Sequence, residues 1–124
     1  MSLKGKKVAI LVEQDYQDLE VWYPLLRLRE AGAEVTTIGS GTSYIYKGKN
    51  GYPIKVDTSI TKVKSSDFDA VVIPGGWAPD FLRRHSAIVD FVREIDKAGK
   101  VVASICHGGW LLASADIVKG KTLT

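Results

Sequence analysis

Four short apolar runs alternate with helix-like segments, and this alternation limits the possible folds more than any other feature of the chain. The runs are KKVAILV, AEVTTIG, FDAVVIPGG and KVVASIC. They are rich in β-branched residues and are bounded by charges or glycine, which is typical of buried parallel strands. Strands that alternate with helices form a mostly parallel sheet covered on both faces. We therefore predict a doubly wound, flavodoxin-like α/β fold.

The segments between these runs have helical or hairpin patterns. SAIVDFVREIDKAG is amphipathic, and APDFLRR and HGGWLLASADI are shorter helix candidates. In DLEVWYPLLRLREAG, Pro24 lacks an N–H and crowds the carbonyl of Glu20, so either the chain kinks near Glu20 or the regular helix begins near Pro24. SYIYKGKNGYPIKVD alternates around Asn50-Gly51 and predicts a small edge β-hairpin.

Length and composition indicate one soluble domain, residues 1–124, with a net charge of +3. The lysines are scattered and no basic stripe with aromatic residues is present, so we expect no nucleic-acid partner. No apolar run is long enough to span a membrane, and the N-terminal residues do not resemble a signal peptide. A single cysteine is typical of a reducing compartment, which predicts a cytoplasmic protein.

Two glycine motifs do not predict a cofactor. GSGTSY at 39–44 lacks the third glycine of a dinucleotide loop, and GKT at 120–122 has Ala115 where a phosphate-binding loop requires glycine. We therefore expect neither a cofactor nor a metal.

An acidic cluster follows the first predicted strand, as in phosphoacceptor signalling domains. Its members are Glu13, Asp15 and Asp18. Such a domain also needs an aspartate at the end of its third strand, whereas here Asp69 stands at the beginning of that strand. The pattern therefore does not favour a phosphoacceptor.

The only cysteine, Cys106, lies between the fourth predicted strand and a helix. Ligands of open α/β sheets bind at this carboxyl edge, and the start of a helix favours a thiolate, the nucleophilic form of cysteine. The Pro-Gly-Gly turn at Gly75 and Gly76 should lie nearby, where its N–H groups could hold an oxyanion. The alternative is that Cys106 is a small buried hydrophobic residue.

Three segments together resemble the DJ-1/PfpI family, within the class I glutamine amidotransferase-like fold and closest to its PfpI branch. They are VIPGGWAPDFLR, VASICHGGWLLASADIVKGKTLT and DLEVWYPLLRLREAGAEV. The resemblance implies that Cys106 is the nucleophile and His107 its partner. It also implies that Glu20 hydrogen-bonds the sulfur through a protonated carboxyl. By the same resemblance Asp80 orients the histidine of a neighbouring subunit, in a homodimer or hexamer.

The chain departs from the family pattern in two respects. The usual Cys-His-Gly-Pro is Cys-His-Gly-Gly-Trp here, and we expect Trp110 to line the pocket or a partner surface. Trp77, beside Asp80, is expected to pack in the contact between subunits. Family chains also continue with another strand pair and a final helix, so we expect the sheet face that those elements cover to be exposed in this chain.

The predicted function is that of an enzyme with a cysteine nucleophile. The family resemblance implies peptide hydrolysis, or glyoxalase and deglycase chemistry on methylglyoxal-type aldehydes and their adducts. Backbone N–H groups at Gly75, Gly76 and His107 are the expected oxyanion donors. The alternative is a redox-sensing or chaperone-like stress protein in which Cys106 is oxidised to a sulfinic acid beside Glu20.

Overall fold

The computed structural model describes residues 2–124 and contains a five-stranded parallel sheet with a separate β-hairpin. The strands in chain order are β1 Lys7–Val12, β2 Glu34–Gly39, β3 Ile45–Lys47, β4 Pro53–Lys55, β5 Thr58–Ser59, β6 Ala70–Ile73 and β7 Val101–Ser104. The helices are α1 Asp18–Glu30, α2 Ala78–Leu82, α3 Ser86–Lys97 and α4 Gly109–Ser114. None of the helices in this part of the chain has the length and hydrophobicity needed to cross a bilayer.

The sheet has the strand order β5-β2-β1-β6-β7, with every neighbouring pair parallel. The predicted doubly wound fold is confirmed, and β1, β2, β6 and β7 are the four predicted strands. Strand β5 was not predicted, because its residues Thr58 and Ser59 are polar and only two in number. The predicted hairpin is also confirmed. It forms a two-stranded sheet of its own, in which buried Tyr46 pairs with Ile54.

Helix α1 begins at Asp18 and continues through Pro24 to Glu30. The alternative in which the regular helix begins near Pro24 is therefore wrong. Because the helix begins before Pro24, Glu20 lies in its first turn, immediately beyond the carboxyl edge of β1. The missing N–H of Pro24 leaves the carbonyl of Glu20 without its usual partner in the helix.

One face of β6 and β7 is well covered and the other is open. Val71 and Ile73 are fully buried, whereas the alternating residues Val101 and Ala103 of β7 are exposed, Val101 by 62%. Side chains of a strand alternate between the two faces, so the open residues lie together on one side. The sheet is therefore open around β7 in the described part of the chain.

The acidic cluster after β1 has structural partners. The Asp18 carboxylate accepts hydrogen bonds from the backbone N–H groups of Asn50 and Tyr52, at 3.1 Å each, and so holds the turn of the hairpin. Glu13 is only 4% exposed and accepts hydrogen bonds from the hydroxyls of Ser40 and Thr42. Both carboxylates fix loops at the carboxyl edge of the sheet.

Glu13→Ala should destabilise the fold, because it removes the acceptor of the buried Ser40 hydroxyl and of the Thr42 hydroxyl. The expected loss is about 1–3 kcal/mol in the free energy of unfolding. Glu13→Gln keeps a carbonyl oxygen at the same place and should lose less. Urea unfolding of both variants measures the difference. Equal stability of wild type and Glu13→Ala would show that these hydrogen bonds contribute nothing net.

Candidate active site

Two segments at the carboxyl edge of the sheet are paired with each other, and this pairing sets the geometry of the site. The Gln17 N–H donates to Gly75 O at 3.2 Å, and the Trp77 N–H donates to Asp15 O at 2.9 Å. Gly76 between them has φ +72°, and a Cβ there would lie 2.5 Å from Asp15 O. Only glycine satisfies both conditions at this position.

The buried side chain of Tyr16 supports this pairing of residues 15–17 with residues 75–77. Its ring is fully buried and its hydroxyl donates to Tyr52 O at 2.5 Å, which joins the hairpin to the site. Burial raises the pKa of the Tyr16 hydroxyl above its ordinary value, so the group remains a hydrogen-bond donor at neutral pH.

Cys106 stands on a sharp turn between β7 and α4. Ile105 before it is extended, whereas Cys106 has φ +57°, the left-handed region that side chains other than glycine rarely adopt. This conformation costs roughly 1–2 kcal/mol. Cys106 is exposed, so the alternative of a small buried hydrophobic residue is wrong. A strained, accessible cysteine at the end of a strand is typical of a nucleophile.

Glu20 and Cys106 approach the same glycine. The Glu20 Oε1 atom accepts a hydrogen bond from the Gly75 N–H at 2.9 Å. A Cβ on Gly75 would lie 2.7 Å from Glu20 Oε1 and 2.9 Å from Cys106 Sγ. The carboxyl and the sulfur are thus neighbours, as the family resemblance implies. Within residues 2–124, however, Glu20 bonds to the Gly75 N–H and forms no hydrogen bond with the sulfur.

The three expected oxyanion donors differ in whether their N–H groups are already hydrogen-bonded. The Gly75 N–H is already bonded to Glu20, so it is not free to hold an oxyanion. The N–H groups of Gly76 and His107 have no hydrogen-bond acceptor among residues 2–124. These two groups belong to the turns that follow β6 and β7, which are neighbouring strands. They are the available donors at this edge.

His107 is held within its own chain. Its Nδ1 lies 3.0 Å from Gly76 O, and because a carbonyl can only accept, Nδ1 carries the proton. Nε2 is then the unprotonated nitrogen of the neutral ring, the one that can act as a base. The imidazole stacks on Trp110 with 4.1 Å between ring centroids, and Trp77 lies 5.6 Å away. His107 forms no hydrogen bond with Cys106 in the described part of the chain.

Asp80 lies on α2 and is bound by two arginines. Its oxygens accept hydrogen bonds from Arg83 at 2.7 Å and Arg84 at 2.6 Å. These bonds, first that of Arg83 and then that of Arg84, hold the pKa of Asp80 below its ordinary value. Asp80 is therefore a carboxylate at neutral pH. Residues 2–124 contain no hydrogen bond between Asp80 and His107 of the same chain.

Comparison with known proteins identifies the family. The sequence profile of the DJ-1/PfpI family matches residues 6–124. The chain belongs to the DJ-1/PfpI family. It is 42% identical to "Protein/nucleic acid deglycase 2" of Escherichia coli over 97% of its own length and 70% of the relative's. It is 41% identical to "Deglycase PfpI" of Pyrococcus furiosus over 93% of its length and 69% of the relative's.

A solved structure shows the same fold as this DJ-1/PfpI chain. A two-domain protein from Anabaena variabilis, with DJ-1/ThiJ/PfpI-like and ferritin-like domains, superposes with a TM-score of 0.91 and 47% identity. The match covers 94% of this chain and 35% of that protein. The chain thus spans about a third of the Anabaena protein and 70% of the Escherichia coli relative.

Sequence reasoning missed the contacts that hold Asp80 and His107. The arginines Arg83 and Arg84 follow Asp80 by three and four positions, the spacing at which helical side chains meet, so the ion pairs could have been predicted. Trp110 follows His107 by three positions, which likewise brings the two rings together. The bond from Nδ1 of His107 to Gly76 O joins distant segments and has no local sequence signal.

Gly75→Ala should disturb the nucleophile, because its Cβ would lie 2.6 Å from the Cβ of Cys106. We expect a loss of about 1–3 kcal/mol in the free energy of unfolding and a changed rate of iodoacetamide alkylation at Cys106. Gly109→Ala is the matched control, since a Cβ there meets nothing within 4 Å and the backbone is helical. Urea unfolding and alkylation rates should separate the two variants. Similar values for both would contradict the close packing described for Gly75.

Proposed function

We propose that this DJ-1/PfpI chain carries the active site of a deglycase or glyoxalase-type enzyme with Cys106 as its nucleophile. The observation that supports it is the exposed, left-handed Cys106 beside Gly75, Glu20 and two unpaired N–H groups. The names of the Escherichia coli and Pyrococcus relatives support deglycase chemistry. The single cysteine, which does not form an internal disulfide, favours a reducing, cytoplasmic location.

The substrate class is a small reactive aldehyde such as methylglyoxal, or an adduct of one. The Cys106 sulfur attacks the electrophilic carbonyl carbon, and the carbonyl oxygen becomes an oxyanion that the N–H groups of Gly76 and His107 stabilise. His107 accepts and returns protons through Nε2. Glu20 keeps the Gly75 turn in place beside the sulfur. An exposed cysteine on an open edge suits small substrates or adducts on another protein's surface.

Peptide hydrolysis is the other enzymatic reaction that the same groups could perform. A peptide bond needs the same nucleophile and oxyanion donors, and in addition a proton for its leaving amine. His107 Nε2 would supply that proton. Turnover of methylglyoxal and of peptides by the same protein samples distinguishes the two reactions.

Association with a second copy of the chain would add the Asp80 carboxylate of that copy to the site. The outer face of α1 exposes Leu19 by 72%, Tyr23 by 69% and Leu26 by 57%, an apolar stripe that a second copy could cover. Asp80 of that copy, ionised because of its arginines, would stabilise the imidazolium form of His107.

A redox-sensing role uses the same exposed sulfur. Cys106 is accessible to peroxide, and Glu20 lies beside it. Mild peroxide followed by intact-mass measurement distinguishes the roles. Stable addition of two oxygens in a protein without turnover would favour the sensor.

Cys106→Ala should abolish turnover of methylglyoxal, measured beside a set of fluorogenic peptides with the same protein samples. Glu20→Ala should lower the rate by roughly 10–100-fold, because the Gly75 N–H loses its acceptor and the turn beside the sulfur is released. Glu20→Gln keeps an amide oxygen for that N–H and should lose less. Full activity of Cys106→Ala on both substrates would exclude the proposed mechanism.

Two inactive variants should complement each other if the site is shared between copies. Cys106→Ala retains Asp80, and Asp80→Ala retains Cys106, so a mixed dimer contains one complete site. We expect up to about a quarter of wild-type activity after subunit exchange of equal amounts. Activity should be measured before and after exchange. A fully active monomer, established by light scattering, would contradict the shared site.

A further inference from the structure

The ring of His107 is confined by the residue three positions further along the chain. Trp110 stacks on the imidazole with 4.1 Å between centroids and only 16° between planes. Positions three apart lie on the same side of a helical turn, and Cys106–Gly108 and α4 form such turns in succession. The stack therefore follows from the local backbone, which places the two rings on the same side of the turn.

Tight packing keeps this turn in one place. A Cβ on Gly108 would lie 2.5 Å from the Ser104 hydroxyl oxygen and 2.6 Å from Ile73 O, so the backbone lies directly against β6 and β7. The indole is also held from the side of α2, where the Arg83 guanidinium lies 5.5 Å from the Trp110 ring centroid. Arg83 is fixed in turn by its bond to Asp80. The indole is therefore held in a fixed position, and the imidazole packs against it.

The stack and the hydrogen bond of His107 restrict different motions. The bond from Nδ1 to Gly76 O fixes one edge of the ring but leaves rotation about that bond. A flat indole at 4.1 Å fixes the ring plane and so removes that rotation. Together they leave one orientation and one neutral tautomer, with Nε2 unprotonated and directed away from Gly76.

We propose that Trp110 is a positioning residue for His107, which it holds with Nε2 as the available base. The effect on turnover rests on the proposed base role of His107. The effect on the ring itself does not, because the tautomer can be measured without substrate.

Nitrogen-15 NMR at about pH 8, where a free imidazole is neutral, tests the proposal directly. The chain has two histidines, so His85 provides an internal reference. Wild type and Trp110→Phe should show His107 as the single Nδ1–H tautomer. Trp110→Leu, which keeps bulk but removes the aromatic face, lets the ring turn out of its plane and weakens its bond to Gly76 O, so part of the population should change to the Nε2–H tautomer. Tyr44→Ala, an exposed aromatic residue on the hairpin side, is the matched control and should resemble wild type.

Kinetics provide the second readout. An aromatic stack is worth about 0.5–1.5 kcal/mol, so Trp110→Leu should lower kcat by about 2–10-fold with little change in KM. Trp110→Phe should recover most of that loss. The rate of Cys106 alkylation should be the same in all variants, which also shows that they fold.

Each result decides the question. Retention of the Nδ1–H tautomer and of kcat in Trp110→Leu would overturn the proposal, as would a Trp110→Phe variant that behaves like Trp110→Leu. If wild type turns over none of the substrates but Trp110→Leu alone loses the tautomer, the proposed function fails and the positioning role of Trp110 stands.

Discussion

The pairing of residues 15–17 with residues 75–77 is the contact on which the rest of the site depends. It ties the end of β1 to the end of β6 with two backbone hydrogen bonds, and Gly76 permits an approach that no side chain would allow. Helix α1 starts immediately after this contact, so Glu20 reaches the Gly75 N–H from its first turn. Cys106 then packs against Gly75 from β7, the next strand. Glu20 after β1 and Cys106 after β7 thus meet at Gly75, which follows β6.

Strain at Cys106 is maintained by the rigidity of what surrounds it. The left-handed turn costs roughly 1–2 kcal/mol, and it persists because neighbouring backbone leaves no room to relax. Gly108 lies against Ile73 O on one side, and Gly75 lies against the cysteine side chain on the other. Helix α4 has only six residues, so its dipole is a smaller influence on the sulfur than the sequence suggested. Geometry and exposure, more than burial, account for the expected reactivity of Cys106.

The fold was largely predictable because it is encoded locally. The runs around β1, β2, β6 and β7 have the apolar, β-branched composition of buried strands, and Asn50-Gly51 indicates the hairpin turn. Strand β5 was not predicted, because a two-residue edge strand needs no hydrophobic pattern. The beginning of α1 was ambiguous because Pro24 has a strong local penalty, which the burial of Val21 and Leu25 in the core outweighs.

The sequence predicted which residues lie in the site, but not which hydrogen bonds they form. Sequence position puts Cys106 and Gly75 at one sheet edge, but it does not show that Glu20 bonds to the Gly75 N–H, which removes that group from the oxyanion donors. Nor does it show that Gly76 serves twice, with its carbonyl on His107 and its N–H free. These assignments depend on distances between segments far apart in the chain. Hydrogen-bond geometry across such distances is a property of the packed fold.

The distribution of charge around His107 follows from these bonds. The Asp80 carboxylate is bound within its own chain by Arg83 and Arg84, and within residues 2–124 His107 is oriented by a carbonyl and an aromatic face. The Gly76 carbonyl holds the ring without adding a formal negative charge. The protonation of Nε2 therefore depends on the group that approaches it. An incoming carboxylate from a second copy would therefore change the protonation preference of His107 in one step.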